Sequence, residues 1–236
     1  EIAGAGFINF FLASGAHHAE LLAILERGKD YGRSAAAQGK SVNVEFVSAN
    51  PTGPLHVGHG RHAAYGASLA NLLEAVGHRV HREYYINDAG RQMEILSASV
   101  WLRYLEAGGE AFPFPSNGYR GEYLKPIAAG LREKVGAKLE RTASQVFTGL
   151  PPDAPAGNDD EYIDAVIARS RELLGTAGFG EVHDYALARM LEVIRADLAE
   201  FGVTFDEWYS ERALAESGDV DRALAQHDVS AAVAAW

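Results

Sequence analysis

The sequence predicts an α/β fold built around a parallel sheet, and three observations carry that reading. Val42, Val44 and Phe46 alternate in a β-branched run, an alanine-rich pattern of helical period follows, and a second β-rich run opens at His78. Between the two runs, Asn50, Pro51, Gly53 and Pro54 break the chain where a strand must hand over to a helix. A strand, helix, strand order of this length closes as a right-handed parallel crossover.

The elements follow in chain order. Phe7 to Leu12 is a short apolar segment, a helix runs from about His18 to Glu26, and Gly28 to Lys40 reads as a Gly/Ser/Ala connector. The first core strand starts at Val42. From Gly58 to about Val76 the residues Ala63, Ala67, Ala70 and Leu73 recur at helical spacing, with Gly77 as the stop. The second strand, His78 to Ile86, carries Val80, Tyr84 and Ile86 and ends at Asn87, Asp88 and Gly90; a helix from Arg91 to about Glu106 comes next. Between Gly108 and Asn158 the Pro- and Gly-rich stretches AGGEAFPFPSNGY and GLPPDAPAGNDD enclose a helix near Tyr123 to Leu139. That texture reads as a mainly helical insertion in the core, spanning about 108–178. Asp159 to Leu174 and Val182 to Phe201 are amphipathic, with stripes of Ile163, Val166, Ile167 and Leu174, then Leu187, Leu191, Ile194 and Leu198. Gly202 to Tyr209 reads as a returning strand, and Arg212 to Ala225 as a further helix. The division expected is 1–40 as one region and 41–236 as the nucleotide-binding core.

Composition narrows the class without choosing a function. The chain is 47% hydrophobic and 22% charged, enough apolar material for one or two cores and no bias to disorder. Cysteine is absent, which removes disulfide and thiolate chemistry. No run of eighteen apolar residues occurs, so a membrane partner is not expected, and the opening EIAGAGFINF resembles neither a leader peptide nor a natural start. A soluble cytoplasmic protein is the expectation. The net charge of −11 suits a cationic small substrate better than a nucleic acid, although Arg61, Arg79, Arg82, Arg91 and Arg103 cluster in sequence near the loop. There is no GxxxxGK[ST] phosphate loop, GxGxxG fingerprint, GxSxG elbow or HExxH metal motif.

The strand, loop and helix at Val42 to Val76 form the layout of an anion site. Free backbone N–H groups and the positive end of the helix dipole lie beside the loop. His56 and His59 are three apart, so on the first turn both imidazoles can project the same way and offer N–H donors to phosphate. Gly58 between them permits close approach of a ligand to the backbone. Taken alone, the same four residues also describe an ordinary helix start with two solvent-facing histidines.

The wider motif resembles a known family. SANPTGPLHVGH, flanked by EFVSANPTG, GHGRHAAYGASLANLLEAVGH and REYYINDAGRQ, is similar to the HIGH-signature region of class I aminoacyl-tRNA synthetases in the arginyl-tRNA synthetase form. The likeness extends from AGAGFINF, similar to the end of that family's N-terminal tRNA-binding domain, to VTFDEWYSE. It implies a Rossmann-like nucleotide-binding parallel sheet and a ligase that activates arginine with ATP and transfers it to tRNA(Arg). The ATP would enter with Mg2+, with no protein-bound metal, and the enzyme would act as a monomer. The matching positions for ATP are Pro54, Leu55, His56, Gly58 and His59, with His56 and His59 catalytic. Those for arginine are Glu45, Ser48, Asn50, Tyr85 and Gln92, with Asp206 as a second carboxylate.

Each position also has a plainer role: Glu45 as a solvent-facing strand acid, Asn50 as a turn residue, Tyr85 as packing and Asp206 as a helix cap before Glu207. The family's KMSKS-like lysine loop has no counterpart, since Lys29, Lys40, Lys125, Lys134 and Lys138 lie in other contexts. The stretch therefore reads as an internal piece of a longer enzyme. Two other readings stand beside this one: a nucleotidyltransferase using the HxGH turn on a small metabolite, and a non-catalytic synthetase-like RNA-binding protein.

Overall fold

The computed structural model describes residues 2–4, 6–13 and 15–226. Three strands, β3 (Ser41–Glu45), β4 (Arg79–Ile86) and β5 (Glu207–Ser210), form a parallel sheet in the order β3-β4-β5. A separate antiparallel pair, β1 (Ile2–Ala3) and β2 (Phe7–Ile8), precedes them. The crossover from β3 to β4 is α2 (Val57–Ala75), and that from β4 to β5 contains α3 (Arg91–Ala107), α4 (Leu124–Val135), α5 (Ala143–Phe147) and α6 (Asp159–Glu200). Two short helices, α7 (Glu211–Glu216) and α8 (Asp219–Gln226), follow β5.

The chain divides into two compact units, Glu1–Val42 with Leu69–Val80, and Asn43–Ser68 with His81–Trp236. In the smaller unit α1 (Ala16–Arg27) has no buried residue, and the predicted apolar segment is strand only at Phe7 and Ile8. The connector after it is tied down through backbone bonds, Ser34 N–H to Ala75 C=O at 2.8 Å and Ala37 N–H to Val76 C=O at 3.0 Å. Gly77 is required there: its φ is +95°, and a Cβ would lie 3.0 Å from Ala35 Cα.

In the larger unit α3 is the axis of the core. Met93, Ile95, Leu96, Val100, Trp101, Leu102, Tyr104 and Leu105 are all buried on it, so apolar contact surrounds the helix rather than lining one face. Four polar side chains caught in this core are paired: Ser97 and Ser99 hydroxyls donate to carbonyls one turn back, Trp101 Nε1 donates to Leu139 C=O, and Tyr104 OH to Gly136 C=O. The last two bonds anchor the insertion to the core.

Four expectations about elements change. The insertion helix stops at Val135 rather than near residue 139, because Gly136 takes φ +61° and ends it. The two long amphipathic helices are one element, α6, interrupted only at Gly175 with φ +66° and ψ 172°. The returning strand is shorter, starting at Glu207, and the final helix is split at Ser217 and Gly218, where φ reaches +72°.

Candidate active site

The site is built from the chain that leaves β3. Phe46 is buried and drops into the core, its ring 4.5 Å from that of Phe205 and against Gly66 of α2. The backbone then reverses within three residues, with Val47 at φ +67° and Ser48 N–H bonded to Phe46 C=O at 3.0 Å. Ser48 is also left-handed, at φ +38°. Neither residue is glycine, so both conformations are strained and depend on their surroundings. Those surroundings are specific: Ser48 Oγ accepts the Tyr85 backbone N–H at 3.1 Å, and the buried Tyr84 hydroxyl donates to Ala49 C=O at 2.9 Å. Burial pushes the Tyr84 phenol up to about 12, so it stays a donor.

Further along the loop, Asn50 Nδ2 donates to Gln92 Oε1 at 2.6 Å, which brings together two predicted site residues from opposite ends of the motif. Gln92 reaches it from the first turn of α3. Thr52 C=O receives the Tyr123 hydroxyl at 2.6 Å, so the insertion holds the loop from the other side. Pro54 is exposed and Leu55 half-buried where the loop passes into α2.

His56 and His59 stack face to face, ring centroids 3.8 Å apart and planes 22° from parallel. Each ring has one nitrogen occupied by backbone: Gly58 N–H donates to His56 Nδ1 at 3.1 Å, and His56 N–H to His59 Nδ1 at 3.3 Å. An acceptor Nδ1 fixes the neutral tautomer with the proton on Nε2, so both rings keep one N–H donor for a ligand. His59 is held below its ordinary pKa, first by burial and then by the adjacent His56 and His62, which favours the same neutral form. Gly58 has a local reason: a Cβ there would lie 2.9 Å from His56 Cε1 and displace the ring.

Glu45 ends β3 exposed, and its carboxylate makes no hydrogen bond or ion pair among the described residues. Tyr85 is half-buried, stacked on Tyr209 at 6.1 Å, and its phenol is raised by burial first and by Glu211 second. Asp206 is not brought to this edge. Its carboxylate accepts the Arg82 backbone N–H at 2.8 Å and its own N–H bonds Arg82 C=O at 2.9 Å, where β4 and β5 begin to pair. Four strand residues, roughly 13 Å, separate it from the carboxyl end of β5. Glu207 opens a strand and not a helix, so the capping role fails as well; Asp206 fixes the strand register.

The acid that follows the carboxyl end of β5 is Glu211. It follows Ser210, the partner of Ile86 in the β4–β5 register, and lies beside Tyr85. Asp88, buried at 4% exposure, grips both neighbours of Glu211, accepting the Ser210 hydroxyl at 2.6 Å and the Arg212 N–H at 2.8 Å. The sequence signal was available: ligands of open α/β sheets bind outside the carboxyl ends of strands, which favours the residue after a strand over the residue before it. A cleft of about 480 Å3 lies further along the same edge, lined by Asp88, Glu94, Arg171, His183, Asp184 and Arg212. Its charges are consumed internally, Arg171 on Glu94 at 2.7 Å and Arg212 on Asp184 at 2.9 Å, and it contains neither His56 nor His59.

A parallel sheet, a strained loop at its carboxyl edge and a paired-histidine helix start together have the layout of a nucleotide-phosphate site. The family model for class I (R) tRNA synthetase catalytic domains matches residues 20–108. Along nearly its whole length the chain is similar to arginyl-tRNA synthetases. It is 59% identical over 225 residues to an arginine–tRNA ligase of Thioalkalivibrio sulfidiphilus and 53% identical over 230 residues to that of Halorhodospira halophila. These alignments cover 95% and 97% of the chain, but the chain spans only 38% and 39% of those relatives. A crystal structure of a Campylobacter jejuni protein assigned as an arginyl-tRNA synthetase superposes with a TM-score of 0.63 at 28% identity, covering 88% of this chain and 39% of that one.

Proposed function

We propose that this chain is part of an arginine–tRNA ligase and holds the half of the active site that binds arginine and the ATP phosphates. The observation that carries the reading is the stacked histidine pair with both Nδ1 atoms taken by backbone N–H groups. Two Nε2–H donors then meet the α-phosphate and its leaving group without rearrangement, and donors aimed beforehand at developing charge are the most effective kind. One oxygen of the arginine carboxylate attacks the α-phosphorus, forming the acyl–phosphate bond as the bond to pyrophosphate breaks. In a second step a hydroxyl of the terminal adenosine of tRNA(Arg) attacks the acyl carbon and AMP leaves.

Substrate placement follows from the free valences of the loop. Ser48 accepts from Tyr85 N–H but keeps its own O–H to donate to a carboxylate, and Asn50 donates to Gln92 but keeps Oδ1 for the ammonium group. Glu45 and Glu211 are the carboxylates for the guanidinium, a fixed cation that favours paired carboxylate acceptors. Tyr85 stands between β3 and β5 as the aromatic wall. ATP arrives as its Mg2+ complex, the ion held by phosphate and water oxygens. Residues 1–40 would be the end of the tRNA-binding N-terminal domain. No helix among the described residues is long and apolar enough to cross a membrane; the enzyme proposed is a cytoplasmic monomer.

Calorimetric titration of arginine and of a non-hydrolysable ATP analogue tests the assignment. Glu45→Gln should weaken arginine at least tenfold, since a hydrogen bond to a charged group is worth about 1.5–3 kcal/mol, and should leave the ATP analogue unchanged. Equal loss for both ligands, or none for either, removes Glu45 from the guanidinium site. Arginine-independent nucleotide binding with selectivity for another metabolite would favour the nucleotidyltransferase alternative.

A further inference from the structure

We infer that His81, Glu83 and Glu207 form a binding site for one divalent transition-metal ion on the open face of the sheet. His81 and Glu83 are two apart on β4, so their side chains leave the same face, and Glu207 is the direct partner of Glu83 on β5. An imidazole nitrogen and two carboxylate oxygens thereby come within 4.8 Å of one another. Zinc–ligand bonds of 2.0–2.1 Å put ligand atoms about 3.3 Å apart in a tetrahedron, so rotation of the two glutamate side chains closes the set. His81 Nε2 already lies 2.9 Å from Glu207 Oε2.

Charge and orientation favour an ion here. Two carboxylates in directly opposed register repel each other. Among the described residues, Glu207 meets the His81 imidazole at 2.9 Å and Glu83 meets the neutral Asn43 amide at 3.1 Å. A divalent cation would offset the repulsion. Asn43 Nδ2, donating to one Glu83 oxygen, leaves the other oriented for the metal, the role that outer hydrogen bonds play around metal ligands. One imidazole with two carboxylates suits zinc, manganese or iron better than calcium or magnesium, which prefer oxygen alone. Sequence spacing could not reveal this set, since Glu207 comes 126 residues after His81.

Titration of untagged protein with zinc chloride at pH 7.5, followed by calorimetry, tests the site. One equivalent should bind saturably, and that binding should vanish in His81→Ala and in the near-isosteric Glu83→Gln, with circular dichroism unchanged. Asn43→Ala should weaken it roughly tenfold. The His56→Ala/His59→Ala double variant should bind zinc as the parent does. No saturable binding to the parent would overturn the inference, and so would loss in the double variant with retention in His81→Ala and Glu83→Gln.

Discussion

Gly66→Ala is the perturbation that most directly tests how the histidine-bearing helix is seated. A Cβ at this position would lie 2.2 Å from Phe46 Cγ, 2.3 Å from Cδ2 and 2.5 Å from Cβ. Ordinary carbon contacts begin near 3.5 Å, so the helix or the ring must retreat by about 1.3 Å. Phe46 has nowhere to go, being 9% exposed and packed on Phe205. Overpacking of this kind costs about 1–3 kcal/mol, and often more at so short a distance. Alanine in a helix interior returns about 1 kcal/mol relative to glycine. The net expectation is a loss of about 2 kcal/mol, a fall in Tm of roughly 4–8 °C for a chain of this size. Urea unfolding followed by the fluorescence of Trp101 and Trp208 measures it. Gly66→Ala should be nearly harmless when combined with Phe46→Leu, giving a coupling energy above about 1 kcal/mol. A Gly66→Ala protein as stable as the parent would show that the contact is not what seats α2.

Two further expectations concern the loop and the histidines. Tyr123→Phe removes the donor from Thr52 C=O; it should destabilise by about 1 kcal/mol in denaturant titration and raise amide exchange at Thr52 and Gly53, and unchanged exchange would show that the insertion does not hold the loop. His59 should titrate below the ordinary 6.5 in an NMR pH series. Between its lowered folded pKa and 6.5 the unfolded chain binds the proton and the folded chain does not, so this group's stabilisation is present above pH 6.5 and is lost as pH falls through the folded value. A phosphate ligand should raise that value, because an anion favours the imidazolium; a midpoint at or above 6.5 without ligand would contradict the neutral tautomer.

The strands and helices around the motif were legible because their periodicity is strong and glycine stops mark their ends. The position of Asp206, bonded to the Arg82 backbone and away from the loop, is one that periodicity cannot supply. Which end of a strand faces the ligand depends on parallel pairing with β4, and only the register shows that Asp206 precedes the strand while Glu211 follows its end. The stacking of His56 on His59 and the backbone donors that set their tautomers were equally hidden, since each needs the path of residues 56–59 and not their identity. The break at Gly175 was legible, since the first stripe ends at Leu174; that the helix resumes directly after it and not at Val182 was not, because residues 176–181 carry no stripe of their own.

Val47 and Ser48 draw their shape from neighbours rather than from themselves. Left-handed geometry at two successive side-chain-bearing residues is unstable in a free peptide by about 1–3 kcal/mol each, so the ten residues around them, cut out, would relax elsewhere. The shape of the loop thus exists only while Tyr84, Tyr85 and Phe46 are in place, and competence to hold a ligand reports on the integrity of the surrounding core before any global melting is seen.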